Sequence, residues 1–157
     1  MRTSGSQLSL KALNEYIHRE IPITRHMEFK ACTISNTLVE IEAPLDPNIN
    51  HRHSAFGGSL SSLGILSGWV LLLNYLQDEN MNFNLVIQNS RTKYLKPALG
   101  KCTVCCELDS EKSLDIFLAT LKRRGKARIN LLASIYSDGI EVATHKGSYV
   151  ALRVDQQ

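Results

Sequence analysis

The residue types best suited to chemistry are concentrated in one short stretch, residues 50–59 (NHRHSAFGGS). The amide of Asn50 can hold a water molecule, and the imidazole of His53 can accept its proton near neutral pH. Gly57 and Gly58 lack a Cβ, so a carbonyl group can approach their backbone N–H groups closely. The histidines and amides of this loop therefore make it the part of the sequence best suited to chemistry.

Other site chemistries are not indicated. Cys102 and Cys105 form a C-x-x-C motif, but no second pair and no paired histidines accompany it. Residues three apart on a strand also face opposite sides of the sheet, so the two thiols would diverge. No G-x-S-x-G motif is present, and a Ser-His-acid triad is not evident. We predict neither a metal site nor a redox pair.

The element that must position the stretch is the segment that follows it, residues 58–77 (GSLSSLGILSGWVLLLNYLQ). The segment is apolar or small nearly all round, which is typical of a helix at the centre of a core. Its first half carries four serines and no flanking Lys or Arg sets a topology, so we do not expect a membrane span. Twenty residues reach about 30 Å as a helix, the width of a small domain.

The remaining pattern predicts an α+β domain with an antiparallel sheet. An amphipathic N-terminal helix is predicted over 7–21 and a second short helix over 111–124, followed by Gly125. Asp138-Gly139 is a hairpin signal. Alternating apolar residues predict six strands, at 27–32, 37–43, 83–97, 101–108, 127–136 and 140–152. One apolar helix beside six strands suggests that the sheet curls around it, in one domain spanning residues 1–157.

Charge and composition limit the classes of partner. The net charge of +3 lies far from that of a dedicated nucleic-acid binder. The N-terminus MRTSGSQLSLK has no apolar signal region, so we expect a cytoplasmic protein with reduced thiols.

Asn50 followed by Gly57-Gly58 and a long apolar helix resembles the signature of the hot-dog thioesterases, in which an asparagine, five residues and His-Gly-Gly precede the central helix. Residues 94–98 (YLKPA) with Gly100 resemble a later strand of that family. The sequence FGGS at 56–59, a following Gly-Trp at 68–69 and GKAR at 125–128 are similar to the thioesterase domains of the YiiD C-terminal type, found alone or fused to a GNAT acetyltransferase domain. The resemblance implies the hot-dog fold, a curved antiparallel sheet wrapped around one long central helix.

The resemblance also implies site roles, with two departures. Phe56 stands where better-known relatives have histidine, and Ile65 stands where the phenylacetyl-CoA type has a helical aspartate. The family base is missing, so we predict His53 as the base, beside Asn50 as the water-holding amide and Gly57 and Gly58 as oxyanion donors. The residues predicted to bind substrate are Phe56, Ser59, Ser62, Trp69, Arg91, Lys96 and Arg124.

Each of these residues also has a purely structural use. The glycine pair can serve close packing of helix on strand, Asn50 can be a turn residue, and His53 can be an exposed loop histidine. Ser59 can cap the helix and Ser62 can bond a preceding carbonyl. Trp69 can belong to the core, and the cations can lie on a solvated face.

The function implied is hydrolysis of an acyl-CoA or acyl-carrier thioester, with no cofactor apart from the coenzyme A of the substrate. The alternatives are a non-catalytic acyl-thioester binding or regulatory domain and, ranked last, a hot-dog dehydratase or hydratase. Relatives pair their sheets, so we expect a homodimer or a dimer of dimers with sites at the seam, binding a small-molecule thioester and neither nucleic acid nor membrane.

Overall fold

A computed structural model describes residues 8–77 and 79–154. The elements in chain order are α1 (Leu10–Glu20), α2 (Ile23–His26), β1 (Lys30–Ile34), β2 (Leu38–Ala43), a 3₁₀ turn (Asp46–Asn48), α3 (Gly57–Leu76), β3 (Phe83–Tyr94), β4 (Cys102–Glu107), α4 (Lys112–Arg124), β5 (Lys126–Ser137) and β6 (Ile140–Arg153). The first residue predicted for the N-terminal helix, Gln7, lies outside the described residues, as do the ends of the predicted domain.

The six strands form one antiparallel sheet in the order β1-β2-β4-β5-β6-β3. Side chains from one face of the sheet enclose α3, whose residues Leu71 and Leu72 are fully buried. Each such leucine stabilises the fold by about 1.5–3 kcal/mol through loss of apolar surface from water. The predicted α+β class, with the sheet curved around one long helix, is confirmed.

α3 is long and apolar enough to cross a membrane, and no other helix in the described ranges passes that test. Within the fold, 72% of its apolar window is buried. Its all-round apolar sequence is therefore explained by packing, because strands cover it on several sides.

Two local predictions change in the structure. The N-terminal helix predicted over 7–21 ends at Glu20, and the short helix α2 follows, with Pro22 as its N-cap residue. Its φ of −57° is already helical, which suits proline at a helix start. The predicted strand 27–32 consequently begins later, at Lys30.

The pairing of β3 matters most for the site. Its partner is β6, which is distant in sequence, and its other edge is open within the described chain. β3 is 12 residues long and lies beside α3, with which it runs antiparallel. A long open edge strand is a template for pairing with another strand.

Candidate active site

The first turn of α3 offers unpaired backbone donors. Phe56 takes the N-cap position with extended dihedrals, and no side chain caps the helix. The first helical N–H to be bonded is that of Leu60, which donates to the Phe56 carbonyl at 3.1 Å. The N–H groups of Gly57, Gly58 and Ser59 find no acceptor in the described ranges. Three donors at the positive end of a 20-residue helix can bind an oxygen that gains negative charge.

The glycine pair lies under two aromatic rings. A Cβ at Gly58 would come within 2.3 Å of the Phe56 ring, and one at Gly57 would lie 3.3 Å from the ring of Tyr94. The Tyr94 hydroxyl donates to the Gly57 carbonyl at 2.8 Å. Phe56 is 57% exposed, so its ring can move when a ligand approaches.

Asn50 holds the preceding loop together. Its Oδ1 accepts the N–H of Arg52 at 2.8 Å and that of Ser54 at 3.2 Å. Its Nδ2 donates to the Ser54 hydroxyl at 3.1 Å and to the Ala55 carbonyl at 3.3 Å. Both ends of the amide are therefore engaged inside the loop, and its predicted contact with water stays a prediction.

His53 is exposed and has a left-handed backbone with φ of 60°. Its N–H donates to the Asn50 carbonyl at 3.1 Å, which fixes the backbone of the turn. The described structure gives its ring no hydrogen bond, so its role as the base also stays a prediction.

A row of contacts joins α3 to the open-edge strand β3. After Tyr94 at Gly57, the next contact is between the hydroxyls of Thr92 and Ser61, 3.2 Å apart. Further along, the indole N–H of Trp69 donates to the Leu85 carbonyl at 3.2 Å. Residue numbers rise along the helix as they fall along the strand, because the two elements are antiparallel.

A serine and a histidine meet in the middle of this row. The Ser90 hydroxyl and His145 Nε2 lie 2.8 Å apart. His145 is 2% exposed and packs on α3 at Gly64, where a Cβ would come within 2.5 Å of the histidine side chain. Burial lowers the pKa of His145, so its imidazole is neutral at pH 7.

Neither Ser90 nor His145 is among the residues predicted from the sequence to form the site. His145 occupies an inward position of a strand, and that placement is the one signal the sequence contains. Its partner Ser90 lies 55 residues away. Only the pairing of β3 with β6 brings them together.

The predicted substrate-binding residues on α3 have different settings. The Ser62 hydroxyl donates to the Gly58 carbonyl at 2.8 Å, so it is used within the helix. Ser59 is half-buried in the first turn, and Trp69 is half-buried twelve residues from Gly57.

The three predicted cations lie apart from one another. Lys96 lines a cavity of about 370 Å³ beside Gly57 and Tyr94. Arg91 lines a separate cavity of about 400 Å³ with residues of β5 and β6. Arg124 ends α4, which meets the far end of α3, where Lys122 pairs with Glu79 at 2.6 Å. Within one chain, only Lys96 accompanies the glycine pair.

No group of three or more His, Cys, Asp or Glu side chains that could hold a metal ion occurs in residues 8–77 and 79–154. The thiols of Cys102 and Cys106 are buried, which raises their pKa values to about 11 and about 12. Such thiols are protonated and weakly nucleophilic at neutral pH.

Comparison with known proteins identifies the family. Residues 10–153 match the family model described as "Putative thioesterase (yiiD_Cterm)". A protein of unknown function from Chlorobaculum tepidum has a similar structure, with a TM-score of 0.88 and 29% identity over 96% of this chain and 100% of that one.

Two further solved structures carry a thioesterase description. A "putative thioesterase" from Shewanella oneidensis gives a TM-score of 0.80 and 28% identity over 91% of this chain and 96% of that one. A thioesterase from Haemophilus influenzae gives 0.75 and 13% identity, over 96% of this chain and 94% of that one. At that identity the second shows the fold alone, and the two together confirm the predicted hot-dog fold.

Proposed function

The chain belongs to the YiiD C-terminal thioesterase family, and we propose that it hydrolyses the thioester of an acyl group carried by coenzyme A or by an acyl carrier protein. The observation that carries the proposal is the uncapped start of α3, where the N–H groups of Gly57, Gly58 and Ser59 are unpaired in the described chain. Thioester hydrolysis passes through a tetrahedral oxyanion, and donors of this kind stabilise it.

The turn formed by residues 56–59, here called the carbonyl-binding turn, polarises the thioester. Its N–H groups are fixed by the helix before substrate arrives, so they need little reorganisation when negative charge develops. One such donor is worth about 3 kcal/mol of transition-state stabilisation. The absence of Cβ on Gly57 and Gly58 leaves the acceptor position open.

The cavity beside the turn suits part of an acyl thioester. Its walls include the apolar side chains of Leu60, Leu95 and Pro97, and Lys96 lies on its rim. An apolar chain or pantetheine arm can lie along these walls, while the ammonium group pairs with a phosphate of the carrier. Phe56, exposed over Gly58, can close on the bound ligand.

A homodimer paired through the open edges of β3 completes the proposed site. Such pairing would satisfy the edge backbone groups and would set the row of α3–β3 contacts along the seam. We expect at least a dimer by light scattering at micromolar concentration. A monomer under those conditions would contradict a site at the seam.

The second candidate function is binding without hydrolysis. Two observations favour it: the Asn50 amide is engaged inside its loop, and the sequence carries no carboxylate between Asp46 and Asp78. A regulatory domain needs the carbonyl-binding turn and the cavity, but it needs no proton acceptor.

A panel of acyl-CoA and acyl-carrier thioesters separates the two functions. Hydrolysis releases one free thiol per thioester cleaved, which a thiol reagent measures directly. We expect release at a rate proportional to enzyme for at least one acyl class. Saturable binding with no thiol release would establish the second candidate instead, and hydration of an enoyl thioester would establish the dehydratase or hydratase alternative.

A further inference from the structure

We propose that Ser90 and His145 form the catalytic pair of this site, with the Ser90 hydroxyl as the nucleophile that attacks the thioester carbonyl and His145 Nε2 as the base that takes its proton. The inference rests on the proposed thioesterase function and deepens it, because that function so far lacks a defined proton acceptor.

The geometry of the pair fits nucleophilic catalysis. Ser90 Oγ and His145 Nε2 are 2.8 Å apart, within the range that direct proton transfer needs. Ser90 lies on the open-edge strand and is exposed, whereas His145 is buried behind it. A substrate therefore meets the hydroxyl first, and the imidazole exchanges protons through it.

Two glycines leave room for this arrangement. Ser90 lies opposite Gly147 in the β3–β6 register, so no side chain from β6 stands directly across from the hydroxyl. A Cβ at Gly147 would lie 2.6 Å from the Tyr149 ring, and a Cβ at Gly64 would overlap His145. The imidazole is thus enclosed on the helix side, and its Nε2 is directed at Ser90.

The environment keeps His145 in its basic form. The residues that face it from α3, β5 and β3 include Gly64, Ala133 and Thr92, none of which is charged. The neighbouring cations Arg91 and Lys146 point to the opposite face of the sheet, since residues alternate along a strand. Burial alone lowers the pKa of His145, and the neutral ring can accept a proton at pH 7.

The carbonyl-binding turn and the pair cannot act together within one chain. His145 packs at Gly64, six residues beyond Gly58, which corresponds to about 9 Å along the helix. One carbonyl group must lie about 3 Å from both its donors and its nucleophile. The donors for Ser90 must therefore come from a second copy of the chain.

Antiparallel pairing of two β3 edges can supply those donors. Residues 90 and 94 lie symmetrically about Thr92, so a two-fold axis near Thr92 sets Tyr94 and Gly57 of one copy opposite Ser90 of the other. Thr92 contacts Ser61, which lies midway between the turn and the pair along α3. Each site then combines the turn of one copy with the Ser90–His145 pair of its partner.

The reaction proceeds in two balanced steps. Ser90 Oγ bonds to the carbonyl carbon as its proton passes to His145 Nε2; the C–S bond then breaks, and that proton goes to the leaving sulfur, giving the free thiol and an acyl ester on Ser90. Water next attacks the ester while His145 takes its proton. The C–O bond to Ser90 breaks, the proton returns to Ser90 Oγ, and the carboxylic acid leaves.

The first test looks for the acyl ester. Rapid mixing with a thioester substrate, acid quench and mass spectrometry should show the acyl mass on the peptide that contains Ser90. Ser90→Ala should form no adduct, and its kcat should fall by roughly 10²-fold or more. We expect the same two results for His145→Gln. The matched control is Ser148→Ala, on the outward face of β6 and bonded to Asn130, which should keep wild-type turnover.

The outcomes separate the pair from the function. If the wild type releases thiol and Ser90→Ala keeps its kcat, the pair is wrong and the thioesterase function stands. If Ser90→Ala is inactive but the wild type forms no acyl ester within a single turnover, the nucleophilic step is wrong. An alkyl fluorophosphonate, which labels activated serines without any thioester, should modify Ser90 and not the His145→Gln variant. Labelling of Ser90 without any thiol release would support the pair and overturn the proposed function.

The second test asks whether the site spans two copies. Ser90→Ala and Gly58→Val chains should each be slow alone, but a mixed dimer has one site in which both the turn and the pair are intact. Random reassociation makes half of the dimers mixed, so we expect about a quarter of wild-type activity to return. No recovery in dimers shown by mass spectrometry to have exchanged chains would overturn the shared site.

Discussion

The loop before α3 and the row of contacts that joins α3 to β3 use their polar groups in opposite ways. In the loop, the Asn50 amide bonds only to neighbouring residues and His53 faces solvent with no bond to its ring in the described structure. In the row of contacts, His145 is buried and bonded to Ser90, a residue that solvent can reach. The loop contains many residues of types that act in catalysis, whereas the row of contacts contains a hydroxyl group and an imidazole held within hydrogen-bonding distance.

The largest expected effect decides which region supplies the base. If His53 is the base, His53→Ala should cost about 10²–10⁴-fold in kcat/KM. We expect that loss in His145→Gln instead, since His145 is held against a hydroxyl and His53 is not. The matched control is His26→Gln, an exposed histidine at the end of α2. Unchanged kcat/KM in His145→Gln together with loss of activity in His53→Ala would show that His53, in the loop, is the base.

The next effect sharpens the role of the carbonyl-binding turn, which both regions need. Gly58→Val should reduce kcat by about one to three orders of magnitude, because the new side chain blocks approach to the backbone donors. The same side chain would also displace the Phe56 ring, which lies 2.3 Å from the Cβ position.

The double variant Phe56→Ala/Gly58→Val isolates the blocking effect. It removes the contact with the ring and should remain as slow as Gly58→Val. Recovery of turnover in the double variant would show that the ring, and not blocked donors, caused the loss. Thermal melting of each variant checks that the fold is retained.

A smaller effect is expected from replacing Asn50. Because its amide bonds within the loop, we expect the replacement to lower the stability of the fold more than the rate of turnover. Asn50→Ala leaves the N–H groups of Arg52 and Ser54 without their acceptor and should lower the free energy of unfolding by about 1–3 kcal/mol. Asn50→Asp keeps these acceptors and should cost less. Urea denaturation measures both. Slow turnover of Asn50→Ala at unchanged stability would indicate direct contact with substrate.

The smallest effect is the dependence of stability on pH. The folded-state pKa of His145 is lowered by burial, so the unfolded chain binds more protons in mild acid. Its contribution to stability is fully present above the unfolded pKa of about 6.5 and is lost as pH falls toward the folded value. Urea midpoints at pH 7.5 and 5.5 should therefore differ less in His145→Gln than in the wild type.

His18 is the matched control for that measurement. Its pKa is also lowered, by burial and then by Arg25, and its Nδ1 lies 2.8 Å from the Thr24 hydroxyl. His18→Gln should flatten the same pH dependence while leaving thioester turnover unchanged. A pH dependence that His145→Gln leaves intact would show that His145 is protonated without cost in the folded state.

The sequence by itself determined the elements whose signals are local. The all-round apolar run 58–77 predicts α3, observed at Gly57–Leu76. Alternation predicts the strands, and Asp138-Gly139 predicts the β5–β6 hairpin, where both residues adopt positive φ. The glycine pair lies at the start of α3, as the sequence predicts, because a helix boundary and missing Cβ atoms are properties of consecutive residues.

Tertiary structure alone decided which residues meet. Alternation predicts the strands but not their partners, and in the structure β3 pairs with β6 and not with its sequence neighbour β4. That non-local pairing places Ser90 beside His145, leaves one edge of β3 open within the described chain and lays the strand along α3. A strand's periodicity specifies which side chains share a face. Its partner strand depends on how the whole sheet packs over the buried helix, and that packing free energy comes from residues that are distant in sequence.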